Sequence, residues 1–132
     1  MDNQMSLLID LHESLEEFSK IGDSLRAPDK ARVWEEFTLT EEELSALQST
    51  EFSGKSISAI EKIVRDRMLL SFHHFLAVLD GVGDPRFRKD DSVWLGLRLE
   101  NKSISDEAGD EEFLHDMLFE AYWKWLEIKN NK

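Results

Sequence analysis

The sequence has no cysteine, only two prolines and no long hydrophobic run. Without cysteine the protein forms no disulfide, holds no cysteine-ligated zinc and uses no thiolate nucleophile. Its most apolar stretch, residues 68–79, contains two histidines and is too short to span about 30 Å of hydrocarbon. The first 15 residues lack the basic start of a secretory signal peptide. We therefore expect a cytoplasmic protein that does not enter a membrane.

Basic residues are also scarce: 16 stand against 28 acidic residues, which gives a formal net charge of −12. The acidic excess lies at both ends, with 13 acidic and four basic residues in 1–52, and ten acidic and five basic in 91–132. The segment 53–90 between them has five acidic and seven basic residues. A field of this sign repels phosphate backbones, so general nucleic-acid binding is disfavoured.

The chain contains enough apolar material to fold. Four tryptophans and eight phenylalanines argue against disorder, which combines high charge with low hydrophobicity. A chain of 132 residues suits one domain that buries roughly two-thirds of its unfolded surface. We therefore predict a single compact helical domain over residues 1–132.

Apolar residues recur at three- and four-residue steps, the spacing typical of helices that bury one face. This pattern predicts a first helix over residues 5–21, ended by Gly22, and a second over 29–37. A third helix is predicted from Thr40 to about Gln48. Thr40 and Glu43 have the spacing of a capping box, in which the side chain of each residue accepts a hydrogen bond from the backbone N–H of the other.

Two further helices, at about 58–80 and 110–129, are apolar over most of their circumference and should be buried on several sides. The first of them has capping-box spacing between Ser58 and Glu61. The expected fold is mainly α, with four to five helices packed around this pair. Residues 93–100 alternate at period two, which indicates a strand that could form a minor β-hairpin with residues 103–105; the alternative is an extended or helical connector over 93–100.

Partner contacts are expected on acidic helix faces, at tryptophans among polar residues, and on the long loop 81–92. Trp94 lies on the polar side of the predicted strand, and the loop carries a basic, aromatic tip. The candidate partner-binding residues are Glu13, Glu16, Glu17, Trp34, Glu35, Glu36, Arg86, Phe87 and Arg88.

A metal-dependent hydrolase is the alternative function, because histidines and carboxylates occur on both central helices. Asp66, His73 and Asp80 share one stripe, but seven residues of helix rise about 10.5 Å, so neighbours on it do not bind one ion together. A site would have to converge from two helices, and its residues would be His73, His74, His115 and Asp116.

The charge, the size and the acidic helix faces favour a small protein-binding module without catalytic activity or cofactor. An inhibitor of the immunity-protein or antitoxin type, masking a basic partner, is the concrete member of this class that we expect. Negative faces speed association with a cationic surface.

Overall fold

The structure is a computed structural model that describes residues 2–87, 91–105 and 113–131. Within these ranges the chain is mainly helical and contains no strand, in agreement with the predicted fold class. None of the helices found there is both long and apolar enough to cross a membrane. Two 3₁₀ turns accompany the α-helices, which are α1 (Asn3–Phe18), α2 (Gly22–Arg26), α3 (Glu41–Gln48), α4 (Gly54–Leu79) and α5 (Leu114–Asn130).

The chain forms two compact units, Met1–Leu99 and Glu100–Lys132. In the first unit, α4 contacts α1 and α2, while α3 contacts α2 and the 3₁₀ turn at Pro28–Lys30. The second unit contains α5, whose Tyr122 ring lies 5.3 Å from that of Trp123 and 5.8 Å from that of Trp125. The expected single domain, and the expected pairing of the two apolar helices, stay predictions.

The packed part of the first unit surrounds Leu15 of α1 and Ile57 of α4, which are only 1% and 7% exposed. Gly22 begins α2 directly against Ile57: a Cβ on this glycine would stand 2.8 Å from Ile57 Cγ2. The Gly22 N–H donates a hydrogen bond to Glu61 Oε2 at 3.1 Å, across 39 residues of sequence. The absence of a side chain at Gly22 therefore lets α2 approach α4.

The capping box predicted at the start of α3 is confirmed. The Glu43 N–H donates to Thr40 Oγ1 at 3.1 Å, and the Thr40 N–H donates to Glu43 Oε1 at 2.8 Å. The Thr40 backbone N–H, and secondly its hydroxyl, hold the pKa of Glu43 below its ordinary value of 4.5. Two of the otherwise unsatisfied donors at this helix end are thereby bonded.

The predicted helix over 29–37 is wrong, and so is the role given to Gly22. Residues 28–30 and 35–37 form separate 3₁₀ turns, with extended backbone at Ala31 and Trp34 between them. Pro28 starts the first turn, since a proline at a helix start needs no N–H partner.

Gly22 begins α2 instead of ending the first helix, which stops at Phe18.

The predicted start of the longest helix is also wrong. Ser53 caps α4 by accepting the Ser56 N–H at 3.1 Å, so α4 begins at Gly54, four residues before Ser58. Glu61 does not serve a capping box there, because its carboxylate accepts the Gly22 N–H. For α5, the predicted start at residue 110 lies outside the described residues.

The α4 helix ends where the sequence predicts, at a glycine with positive φ. Gly81 has φ +77°, its N–H donates to Val78 O at 3.1 Å, and the next N–H, of Val82, donates to Ala77 O at 2.9 Å. These two bonds form a Schellman motif, the common glycine-ended helix terminus.

The minor hairpin predicted near 93–105 is wrong, because residues 93–103 form neither strand nor helix. We call residues 93–99 the strap. Its Leu97 N–H donates to Leu79 O at 2.8 Å, and Trp94 Nε1–H donates to Val78 O at 2.8 Å. The strap therefore bonds to the end of α4 instead of pairing with a second strand.

Candidate protein-binding surface

The carboxylates of Glu13, Glu16 and Glu17 form the acidic face of α1. All three residues are exposed. Glu13 and Glu17 lie about 160° around the helix from buried Leu15, since each residue turns the helix by roughly 100°. Among the described residues, no cationic side chain lies within ion-pair distance of these three carboxylates. The acidic face is therefore presented to solvent without an ion-pair partner from the described residues.

This acidic face lies where negative charge is least favourable for a helix. It occupies the second half of α1, and the last turn of α1 contains no basic residue. The C-terminal end of a helix carries a partial negative charge, and carboxylates four residues apart, as at Glu13 and Glu17, repel each other. Local helix stability therefore does not explain why acidic residues are placed here.

A second acidic segment surrounds Trp34. Glu35 and Glu36 are exposed on the 3₁₀ turn Glu35–Phe37. The Thr38 hydroxyl donates a 2.7 Å hydrogen bond to Glu35 O in this turn. The half-buried Trp34 ring meets the exposed Phe37 ring edge to face, with centroids 5.3 Å apart. Partly exposed aromatic rings beside charged residues are frequent where proteins bind one another.

The structure does not bring these candidate residues into one surface. The α1 helix and the 3₁₀ turn Glu35–Phe37 lie wholly in the described part of the chain, and they share no contact. On the basic loop, Arg86 and Phe87 are exposed, while Arg88 lies outside the described residues. The acidic face of α1 and the Trp34 segment are therefore two separate patches.

The histidines show no convergence in the part of the chain that the structure describes. His73 and His74 are exposed on α4, and His115 Nε2 lies 3.4 Å from Oδ1 of its neighbour Asp116 on α5. Across residues 2–87, 91–105 and 113–131, no three His, Asp or Glu side chains are arranged to hold a metal ion. The alternative hydrolase stays a prediction.

A groove that the sequence did not predict lies between the strap and the end of α4. Its volume is about 460 Å³. Its walls are mainly leucines from the two segments, with polar groups among them, and the lining residues are Gln4, Leu76, Leu79, Asp80, Leu95, Gly96, Leu97, Arg98 and Leu99. Gly81 and Gly96 were the sequence signal from which this contact between the two segments could have been predicted, because glycine permits a close crossing of two backbones.

These features define a mainly helical chain with exposed acidic patches. No family model, curated protein or solved structure matches this chain. Its function is therefore argued from its own residues.

Proposed function

We propose that this protein is a cytoplasmic, non-catalytic binding module that masks a basic partner protein, in the manner of immunity proteins and antitoxins. The observation that carries the proposal is the acidic face of α1. Its carboxylates are exposed, lack ion-pair partners among the described residues and lie at an electrostatically unfavourable helix end. A basic partner would compensate charges that the described part of the chain leaves uncompensated.

The net charge of −12 supports the same partner chemistry. Complementary charge steers two proteins toward productive encounter and raises the association rate, most strongly at low salt. Exposed carboxylates such as Glu13 and Glu17 would act in this way, since charged residues at the rim of an interface chiefly alter the association rate.

The Trp34 segment would supply the more durable contacts. Trp34 and Phe37 offer large ring surfaces, and aromatic residues frequently dominate binding energy in protein interfaces. Loss of such a ring raises the dissociation rate, because most changes in affinity at one interface are changes in dissociation. We therefore expect changes in the acidic face to alter the association rate, and changes in the Trp34 segment to alter the dissociation rate.

The test uses the tagged full chain to capture its partner from its own host. A paired variant, Glu13→Gln with Glu17→Gln, removes two charges from the acidic face. The matched control, Glu41→Gln with Glu42→Gln, removes two exposed charges from the first turn of α3. Mass spectrometry should find one basic protein enriched by the wild type and the control, and depleted with the paired variant.

Stopped-flow mixing with the purified partner then measures the association rate. We expect the rate to fall at least tenfold between about 20 mM and 500 mM salt, since charge steering is screened over a few ångströms at high salt. A rate insensitive to salt contradicts the proposal. Stoichiometric metal in the purified protein, found by elemental analysis, contradicts it as well and favours the hydrolase.

A further inference from the structure

The strap crosses the end of α4 at two glycines that face each other. Gly81 has φ +77° and Gly96 has φ +95°, a region that side chains rarely tolerate. A Cβ on Gly81 would stand 2.5 Å from Leu95 O, and a Cβ on Gly96 would collide with Leu79 O. The backbones meet so closely that neither position accepts a side chain.

Two hydrogen bonds join the strap to carbonyls of the last turn of α4. Trp94 Nε1–H donates to Val78 O, and the Leu97 N–H donates to Leu79 O, each at 2.8 Å. The last carbonyls of a helix have no partner within the helix; Val78 O accepts the Gly81 N–H as well as the indole, and Leu79 O accepts from the strap. The strap therefore caps this helix end from 16 to 18 residues further along the sequence.

Side-chain burial contributes little to this attachment. Val93, Leu95, Leu97 and Leu99 are 81%, 84%, 59% and 52% exposed. Trp94 is half-buried, and its indole N–H bonds to α4. Segments with few buried apolar contacts open locally, at a lower free energy than the whole domain.

We propose that the strap is a latch, which closes on the end of α4 through Trp94 and Gly96 and opens without unfolding the packed α1 and α4 helices. The closed latch holds together the two ends of the loop 81–92. It also forms one wall of the 460 Å³ groove, which opening would remove. The latch does not depend on the proposed binding function.

Hydrogen exchange of the full chain, followed by NMR, tests the latch. The Leu97 amide and the Trp94 indole N–H should exchange at similar rates, at least tenfold faster than the Val64 amide in the middle of α4. Low urea should leave these two rates nearly unchanged, because local opening exposes little surface. The Val64 rate should rise with urea.

Two variants open the latch to different extents. Gly96→Ala should accelerate exchange at Leu97 and Trp94 more than tenfold and leave Val64 unchanged. Trp94→Phe, which removes one hydrogen bond and keeps an aromatic ring, should accelerate Leu97 about two- to tenfold. The control is Gly83→Ala, which should leave all three exchange rates unchanged, because its Cβ would meet Val78 Cγ2 at an ordinary 3.7 Å.

The proposal is overturned if the Leu97 and Val64 amides exchange at the same rate with the same dependence on urea. It is overturned equally if Gly96→Ala or Trp94→Phe lowers protection at both sites alike, or if Gly96→Ala prevents folding. Each of these results would make the strap part of the cooperative fold.

Discussion

The two ends of α4 are held by different forces. Its first half contains the buried Ile57, and its Glu61 accepts the Gly22 N–H at the start of α2. Its last turn, half-buried at residues 76–79, is joined to the strap by two hydrogen bonds and a backbone crossing, while the leucines of the strap itself stay more than half exposed. The two ends of one helix therefore differ in what they contact: a packed side chain and a carboxylate bond at the first end, and a crossing backbone at the second.

The largest effect should come from the packed end. Leu15→Ala should lower the free energy of unfolding by about 2–5 kcal/mol, because it removes methyl groups from a fully buried site. Urea denaturation measures the loss. Leu8→Ala, at a 37% exposed position on the same side of α1, is the matched control and should cost much less. Equal losses would show that Leu15 is not a special packing site.

Gly22→Ala should cost about 1–3 kcal/mol, because its Cβ would lie 2.8 Å from Ile57 Cγ2 and force the helices apart. Thermal unfolding of the variant measures this effect. Adding Ile57→Val should restore part of the loss if the clash is with that side chain. Gly54→Ala is the control, since nothing lies within 4 Å of the added carbon, and it should be neutral or slightly stabilising.

A smaller effect is expected at Glu61. Glu61→Ala removes the acceptor of the Gly22 N–H and should cost about 1 kcal/mol. Asp66→Ala, an exposed acidic position on the same helix, should change stability by less than about 0.5 kcal/mol. Chemical denaturation measures the free energy of unfolding of both variants. Equal values would mean that water replaces the Glu61 carboxylate as the acceptor of the Gly22 N–H at no cost.

The smallest effect should be a pH dependence at the capping box of α3, a helix that shares no contact with α4, both lying wholly in the described part of the chain. Since folding lowers the pKa of Glu43, its ionised carboxylate stabilises the helix above pH 4.5, and this contribution is lost as the pH falls through the lower folded value. Glu43→Gln should flatten this part of the pH–stability curve. An unchanged curve in the variant would assign the dependence to other carboxylates.

Local sequence signals predicted the parts of the fold that depend on neighbouring residues. The helical class, the capping box at Thr40 and the glycine end of α4 each follow from patterns within a few residues. Long-range bonds decided what the sequence could not show. Ser53 and Ser58 are both suitable caps, and Glu61, which was assigned to Ser58, instead bonds to Gly22, 39 residues earlier.

The strap shows a second reason for failure. Its period-two pattern describes an extended segment, but the pattern does not say what accepts its hydrogen bonds. The acceptors are the carbonyls of Val78 and Leu79, which no strand-pairing rule identifies. For the candidate surface, exposure of the acidic residues followed from their position off the apolar stripe. Whether they bind a basic protein stays a prediction.

The crossing of Gly81 and Gly96 also determines where this chain tolerates changes in length. Residues inserted between Gly81 and Ser92 would enlarge a loop whose ends are already joined, at an entropic cost that grows slowly with loop length. A single deletion between Trp94 and Leu97 would instead change the spacing of the Trp94 indole, the Gly96 crossing and the Leu97 N–H, so that their three contacts with the end of α4 would not all form. The loop can change its length, whereas the strap cannot.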